Sequence, residues 1–172
     1  MNPIQIVEYR KEHQRFFEAF NKAWIEKYFW LEEVDQYVLQ NPEQAILQKG
    51  GAILVAKYNG FVAGVVALKK VSEGVYEFTK MAVEESFHRK GIAEALSYAA
   101  FDKAKELGAG KVILYSQTTL VPAITMYRKL GFKEVPLEKG VYKRSDIKME
   151  IELQNVNVDV LSYEKGAMVR QL

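Results

Sequence analysis

The pair Asn59-Gly60 narrows the fold most, because it stands between two runs rich in β-branched and aromatic residues, 52–58 and 61–70. Asn-Gly favours the left-handed backbone that a two-residue hairpin requires, so the two runs pair as antiparallel strands. Ser72-Glu73-Gly74 turns the chain again into a third run, 75–83, and the three make an antiparallel meander. The periodicity then changes. Residues 93–107 read as a long alanine-rich helix closed by Gly108, then a strand over 111–116, a helix over 122–130 ended by Gly131, and a strand over 132–135. A last strand over 147–153 places Ile147, Met149, Ile151 and Leu153 on one face.

Upstream, 4–9 is a short strand, and Phe16, Phe17, Phe20, Trp24 and Tyr28 fall at helical spacing within 11–29. Residues 30–40 continue helical with Leu31, Val34, Val38 and Leu39, and Asn41-Pro42 starts a further short helix, Asn41 as its N-cap, that stops at Gly50-Gly51. This order predicts a mixed α/β domain around one mostly antiparallel sheet with helices on both faces. It is a single domain over 1–154. Residues 155–172 are a polar tail in which Val156, Val158 and Val160 alternate, as an edge strand or a homodimer contact would.

Composition removes several kinds of chemistry. The 172 residues contain no cysteine, which excludes disulfides, thiol nucleophiles and Cys-based zinc sites. The two histidines, His13 and His88, lie far apart, so no metal is expected. A net charge of +2 gives no ground for a nucleic-acid partner. Without a basic-then-apolar start or an apolar run of about 18–20 residues, neither secretion nor a membrane is expected, and the default location is cytoplasmic.

The segment Met81-Ala82-Val83-Glu84-Glu85-Ser86-Phe87-His88-Arg89-Lys90-Gly91-Ile92-Ala93 carries most of the functional information. A strand ends, a polar stretch follows, and a glycine sits where a helix begins. The first N–H groups of a helix lack internal partners and carry the positive end of its dipole. Glycine lets a phosphate approach that backbone, and Arg89 and Lys90 add charge beside it. By itself the loop reads equally well as a basic turn before a helix. It lacks the three glycines of a dinucleotide fingerprint. Gly108-Ala109-Gly110-Lys111 is no phosphate-binding P-loop either, since position 105 is lysine and Val112 stands where Ser or Thr would hold magnesium.

With His88-Arg89-Lys90-Gly91-Ile92-Ala93 on the loop and Tyr127-Arg128-Lys129-Leu130-Gly131-Phe132 closing the later helix, the chain resembles the GNAT superfamily of N-acetyltransferases. The family carries Gln or Arg, two residues, Gly, one residue, then Gly or Ala on this loop; His88 replaces the first position. The resemblance implies a sheet splayed between its fourth and fifth strands and acetyl-CoA as cosubstrate, with no metal. It implies that the backbone over Met81, Ala82 and Val83 pairs with the pantetheine arm like an added strand. His88, Arg89, Lys90, Gly91, Ile92 and Ala93 would hold the pyrophosphate. Many members carry Asn three residues before the helix alanine, here Ala123; this chain has Leu120 there, so Gln117, Thr118 or Thr119 would substitute.

Direct transfer to an amine needs a neutral nucleophile, a stabilised oxyanion and a proton for the departing thiolate. The resemblance assigns the proton to Tyr127, whose phenol with pKa of about 10 is protonated at neutral pH. It assigns the oxyanion to the Met81 N–H and the general base to Glu77, which two-residue alternation puts on the same strand face as Met81. Glu26 and Glu32 are weaker bases. Trp24, Tyr28, Phe29 and Trp30 read mostly as core, with one or two left to line an acceptor pocket, and Tyr142 as a further reach into it. The acceptor is a small-molecule or peptide amine. The alternatives are an acyl-CoA-binding or regulatory module without turnover, and an interaction domain built on the tail.

Overall fold

A computed structural model describes residues 2–140 and 143–155; Tyr142 and the valines of the tail lie outside them. Seven strands, β1 (Ile4–Glu8), β2 (Ala52–Tyr58), β3 (Phe61–Ser72), β4 (Val75–Val83), β5 (Lys111–Ser116), β6 (Lys133–Val135) and β7 (Ile147–Glu152), form one sheet. Their order is β1-β2-β3-β4-β5-β7-β6. Every neighbouring pair is antiparallel except β4 and β5. The hairpin at Asn59-Gly60 forms as its residues require, with φ of 48° and 87°.

Four helices cover the sheet: α1 (Gln14–Tyr28), α2 (Glu33–Gln40), α3 (Ile92–Glu106) and α4 (Val121–Leu130). On one face Ile92, Leu96, Ala100 and Phe101 of α3 pack with Ile124 and Leu130 of α4 against Val66, Leu68, Phe78 and Leu114. On the other, Phe17 and Ile25 of α1, Leu39 of α2, and Ile46 pack against Ile53, Val55, Val65 and Ala67. Each of the larger side chains among these, fully buried, contributes on the order of 1.5–3 kcal/mol. Gly64 on β3 lets α3 come close: a Cβ there would lie 3.1 Å from Ile92 and Leu96 and 3.2 Å from Val83.

Three expectations are corrected. The chain does not run helical through 30–40: Phe29 is extended at φ −145°, and α2 starts only after Glu32 and Asp35 cap it reciprocally. Asn41 is not an N-cap. Its side chain donates to the Tyr37 carbonyl at the end of α2, and the helical turn that follows, Glu43–Leu47, has π geometry. The third concerns the alternation along β4. Lys80 takes a left-handed φ of +54°, and the pairing with β3 slips by one residue between Val65 and Ala67. This β-bulge puts Met81 on the α3 face with Phe78, while Glu77, next to Thr79 opposite Ala67, shares the α1 face with Ala82. Glu77 and Met81 therefore belong to opposite faces.

Candidate active site

The site is a wedge where the sheet comes apart. β4 pairs with β5 only over Val75, Tyr76 and Glu77, so from Phe78 onward the two strands diverge. The Glu84 N–H donates to the Ala63 carbonyl on β3 at 2.9 Å. Alternation along the ladder then turns the backbone groups of Val83, and of Met81 two residues earlier, toward the open side. That edge offers the Met81 N–H and C=O and the Val83 N–H to an extended chain, as an exposed strand does, while the Val83 carbonyl is taken by His88.

At the far end of β4 the loop delivers α3. Gly91 caps that helix with φ of +81°, and a side chain there would meet open space, so the approach to the Ile92, Ala93 and Glu94 N–H groups is clear. Arg89 is also left-handed, at φ +63°. Arg89 and Lys90 are exposed and have no ion-pair partner among the described residues; the Lys90 ammonium lies 5.3 Å from the Tyr58 ring centre. Two uncommitted cations beside a helix N-terminus suit a pyrophosphate. His88 behaves differently. Its Nε2 lies 2.8 Å from the Val83 carbonyl oxygen, so that nitrogen carries the proton and donates to the strand. The ring's contact is thus with the end of β4 instead of the phosphate site.

Inside the wedge a cavity of about 110 Å3 brings together Glu77, Met81, Gln117 and Tyr127 from the expected set. Trp24, Phe29, Lys80, Leu120 and Arg144 are among its other walls. Ala82, Val83 and Ala123 do not line it, and Ala123 sits half-buried in the first turn of α4. The Tyr127 ring is fixed by edge-on contacts with Phe78 at 6.1 Å and Phe132 at 5.9 Å. Burial of its phenol pushes the pKa up to about 12. Glu77 is 4% exposed. Gln117 commits one amide hydrogen to the Arg144 carbonyl and its oxygen to Thr119, while Thr118 bonds Asp146 through N–H and hydroxyl, so this segment is bound into the β7 approach. Of the four aromatics expected mostly in the core, Trp24 and Phe29 are partly buried, while Tyr28 and Trp30 stay 49% and 63% exposed. Glu26 is exposed on α1, and Glu32 lies 3.5 Å from Arg144.

Two residues, Arg144 in this wall and Asp35 behind it, were not legible in the sequence. Asp35 on α2 is fully buried; both its oxygens take Arg144, at 2.7 and 2.9 Å, and one also takes Lys80 at 2.8 Å. Burial pushes the carboxyl up, but the Arg144 and Lys80 contacts outweigh it and hold the pKa at about 2. Nothing in a charge on a short polar helix signals that it will be buried. The only hint was its place three residues after Glu32, a capping spacing.

A model of the acetyltransferase (GNAT) family matches residues 8–132. The chain is a member of that family. It is 31% identical over 127 residues to the N-alpha-acetyltransferase of Sulfurisphaera tokodaii, covering 67% of this chain and 69% of the relative. An N-acetyltransferase of Bacillus subtilis, YvbK, is 28% identical over 113 residues, covering 64% and 73%. The N-acetylaspartate synthetase of Xenopus tropicalis is 29% identical over 106 residues, 61% of this chain but only 36% of that longer protein. Among solved structures, a GNAT-family acetyltransferase of Staphylococcus aureus superposes with a TM-score of 0.78 at 20% identity, covering 87% and 99%. The structure of yncA from Salmonella typhimurium with its cofactor acetyl-CoA superposes at 0.70 and 15% identity, covering 90% and 96%. This GNAT member thus shares the fold of those structures, and no helix among its described residues is long and apolar enough to cross a membrane.

Proposed function

We propose that this GNAT member transfers an acetyl group from acetyl-CoA to a primary amine by direct attack in a ternary complex. The observation that carries the reading is the wedge: an unpaired β4 edge leads from the Gly91 helix terminus to a cavity holding a protonated phenol and a buried carboxylate. Bound there, the cosubstrate supplies an activated thioester. Gly91, Ile92 and Ala93 would bind its diphosphate, with Arg89 and Lys90 adding charge. The Met81 and Val83 backbone would orient the pantetheine arm, and the Met81 N–H would stabilise the oxyanion. Glu77 would take the proton of the attacking amine, directly or through water, and Tyr127 would give one to the departing sulfur. Glu77 and Met81 line the same cavity, so the amine and the thioester carbonyl would meet there, between the base and the Met81 N–H. The acceptor side is walled by Trp24, Phe29, Lys80 and Arg144, which suits a small or terminal amine entering a narrow space.

The test is thiol release from acetyl-CoA with a panel of amines, wild type against Tyr127→Phe. Turnover that falls about 100-fold in kcat with KM for acetyl-CoA little changed supports the acid role. Coenzyme A binding with no turnover on any amine would favour an acyl-CoA-binding module instead.

A further inference from the structure

Asp35 belongs to no part of the machinery above, yet its carboxylate takes three charge-assisted hydrogen bonds beside the cavity. It is fully buried, and its two oxygens serve two cations from segments far apart in sequence. Lys80 is the residue at the β4 bulge, and its side chain is only 10% exposed. Arg144 lies just before β7, is 13% exposed, and stacks its guanidinium 5.7 Å from the Phe29 ring centre. Its own carbonyl receives the Gln117 amide from the end of β5. One carboxylate therefore joins α2, the β4 bulge, the approach to β7 and, through Arg144, the end of β5.

The consequence follows from register. Met81 faces the wedge only because one extra residue stands between Thr79 and Ala82; without that insertion, alternation would turn its N–H toward β3. The insertion depends on Lys80 holding a left-handed backbone, which a residue with a Cβ keeps only where its surroundings hold it. The side chain of Lys80 is tied to Asp35 at 2.8 Å.

We propose that Asp35 is a positioning residue for acyl transfer: through Lys80 it locks the bulge that aims the Met81 N–H at the thioester, and through Arg144 it fixes the wall against which the acceptor amine is held. This rests on the acyl-transfer reading, so wild-type turnover is measured first, on its own. Asp35→Asn and Lys80→Met are then compared with wild type in three measurements: kcat per folded enzyme, the dissociation constant for coenzyme A by calorimetry, and amide hydrogen exchange over 79–83. The expected result is a fall in kcat of about tenfold or more. Coenzyme A affinity falls by less than about threefold, because the Gly91 site on α3 and the Val83 end of β4 stay in place and only the Met81 contact to the pantetheine arm is loosened. Exchange over 79–83 rises in both variants. If Asp35→Asn does not fold, Lys80→Met decides, since it leaves the Arg144 pair in place. Unchanged exchange overturns the proposal, as does a smaller loss of kcat, or a loss matched by an equal weakening of coenzyme A binding. A wild type silent with every amine counts against acyl transfer itself, and the exchange measurement then judges Asp35 alone.

Discussion

Tyr127 keeps its proton across the whole working range of an enzyme, because burial raises its pKa to about 12 against about 10 in water. An alkaline limb in kcat below about pH 11 would therefore belong to another group. The same shift has a sign in stability. Between about pH 10 and 12 the folded chain holds a proton that the unfolded chain gives up, so Tyr127 makes stability fall as pH rises through that window. Urea midpoints at pH 9 and pH 11 for wild type and Tyr127→Phe test this, and the variant should lose less. On the loop, Gly91 and His88 are separable. Gly91→Asp strains a φ of +81° and sets a carboxylate at the anion site, so the dissociation constant for acetyl-CoA should rise at least about tenfold by calorimetry. His88→Ala removes a bond to Val83 and should cost far less. Equal effects would refute this account of the loop.

An element can be misplaced without being misfolded, and α3 is the case that matters here. Its N-terminus meets β4 beside Gly64, where Ile92 and Leu96 leave no room for a side chain. Gly64→Val should destabilise the protein by about 2 kcal/mol in urea titration and weaken coenzyme A binding as well, since the helix terminus that binds it must move. Substituting Gly74, where a Cβ meets nothing within 4 Å, should leave coenzyme A binding unchanged. Strand β4 shows the opposite situation, in which one inserted residue leaves the strand in place and reverses the faces of everything beyond it.

Across the whole molecule, charge burial ties the two halves of the chain together. Asp35 on α2 and Arg144 before β7 are 109 residues apart and form a two-pronged ion pair. With its pKa held at about 2 against 3.8 unperturbed, Asp35 stabilises the fold by about 2 kcal/mol above pH 4. That contribution is lost as pH falls from about 4 toward 2. Acid denaturation followed by circular dichroism should show this slope in wild type and lack it in Asp35→Asn. A variant curve parallel to wild type would mean the carboxyl is not ionised in the fold.

What the sequence by itself determined is local. Asn59-Gly60 sets the hairpin, the alanine-rich run after Gly91 sets α3, and Tyr127 through Phe132 ends α4 where expected, because turn chemistry, helix caps and periodicity act over a few residues. The family resemblance rested on those same short segments. What only the tertiary structure decided is at which residue β4 and β5 separate, which face a residue takes past a bulge, and which charges are buried. The splay after Glu77, the reversal at Lys80 and the burial of Asp35 all depend on partners brought together from distant parts of the chain. Local spacing carries no record of such partners. Backbone pairing and desolvation assign them only once the sheet has closed around them.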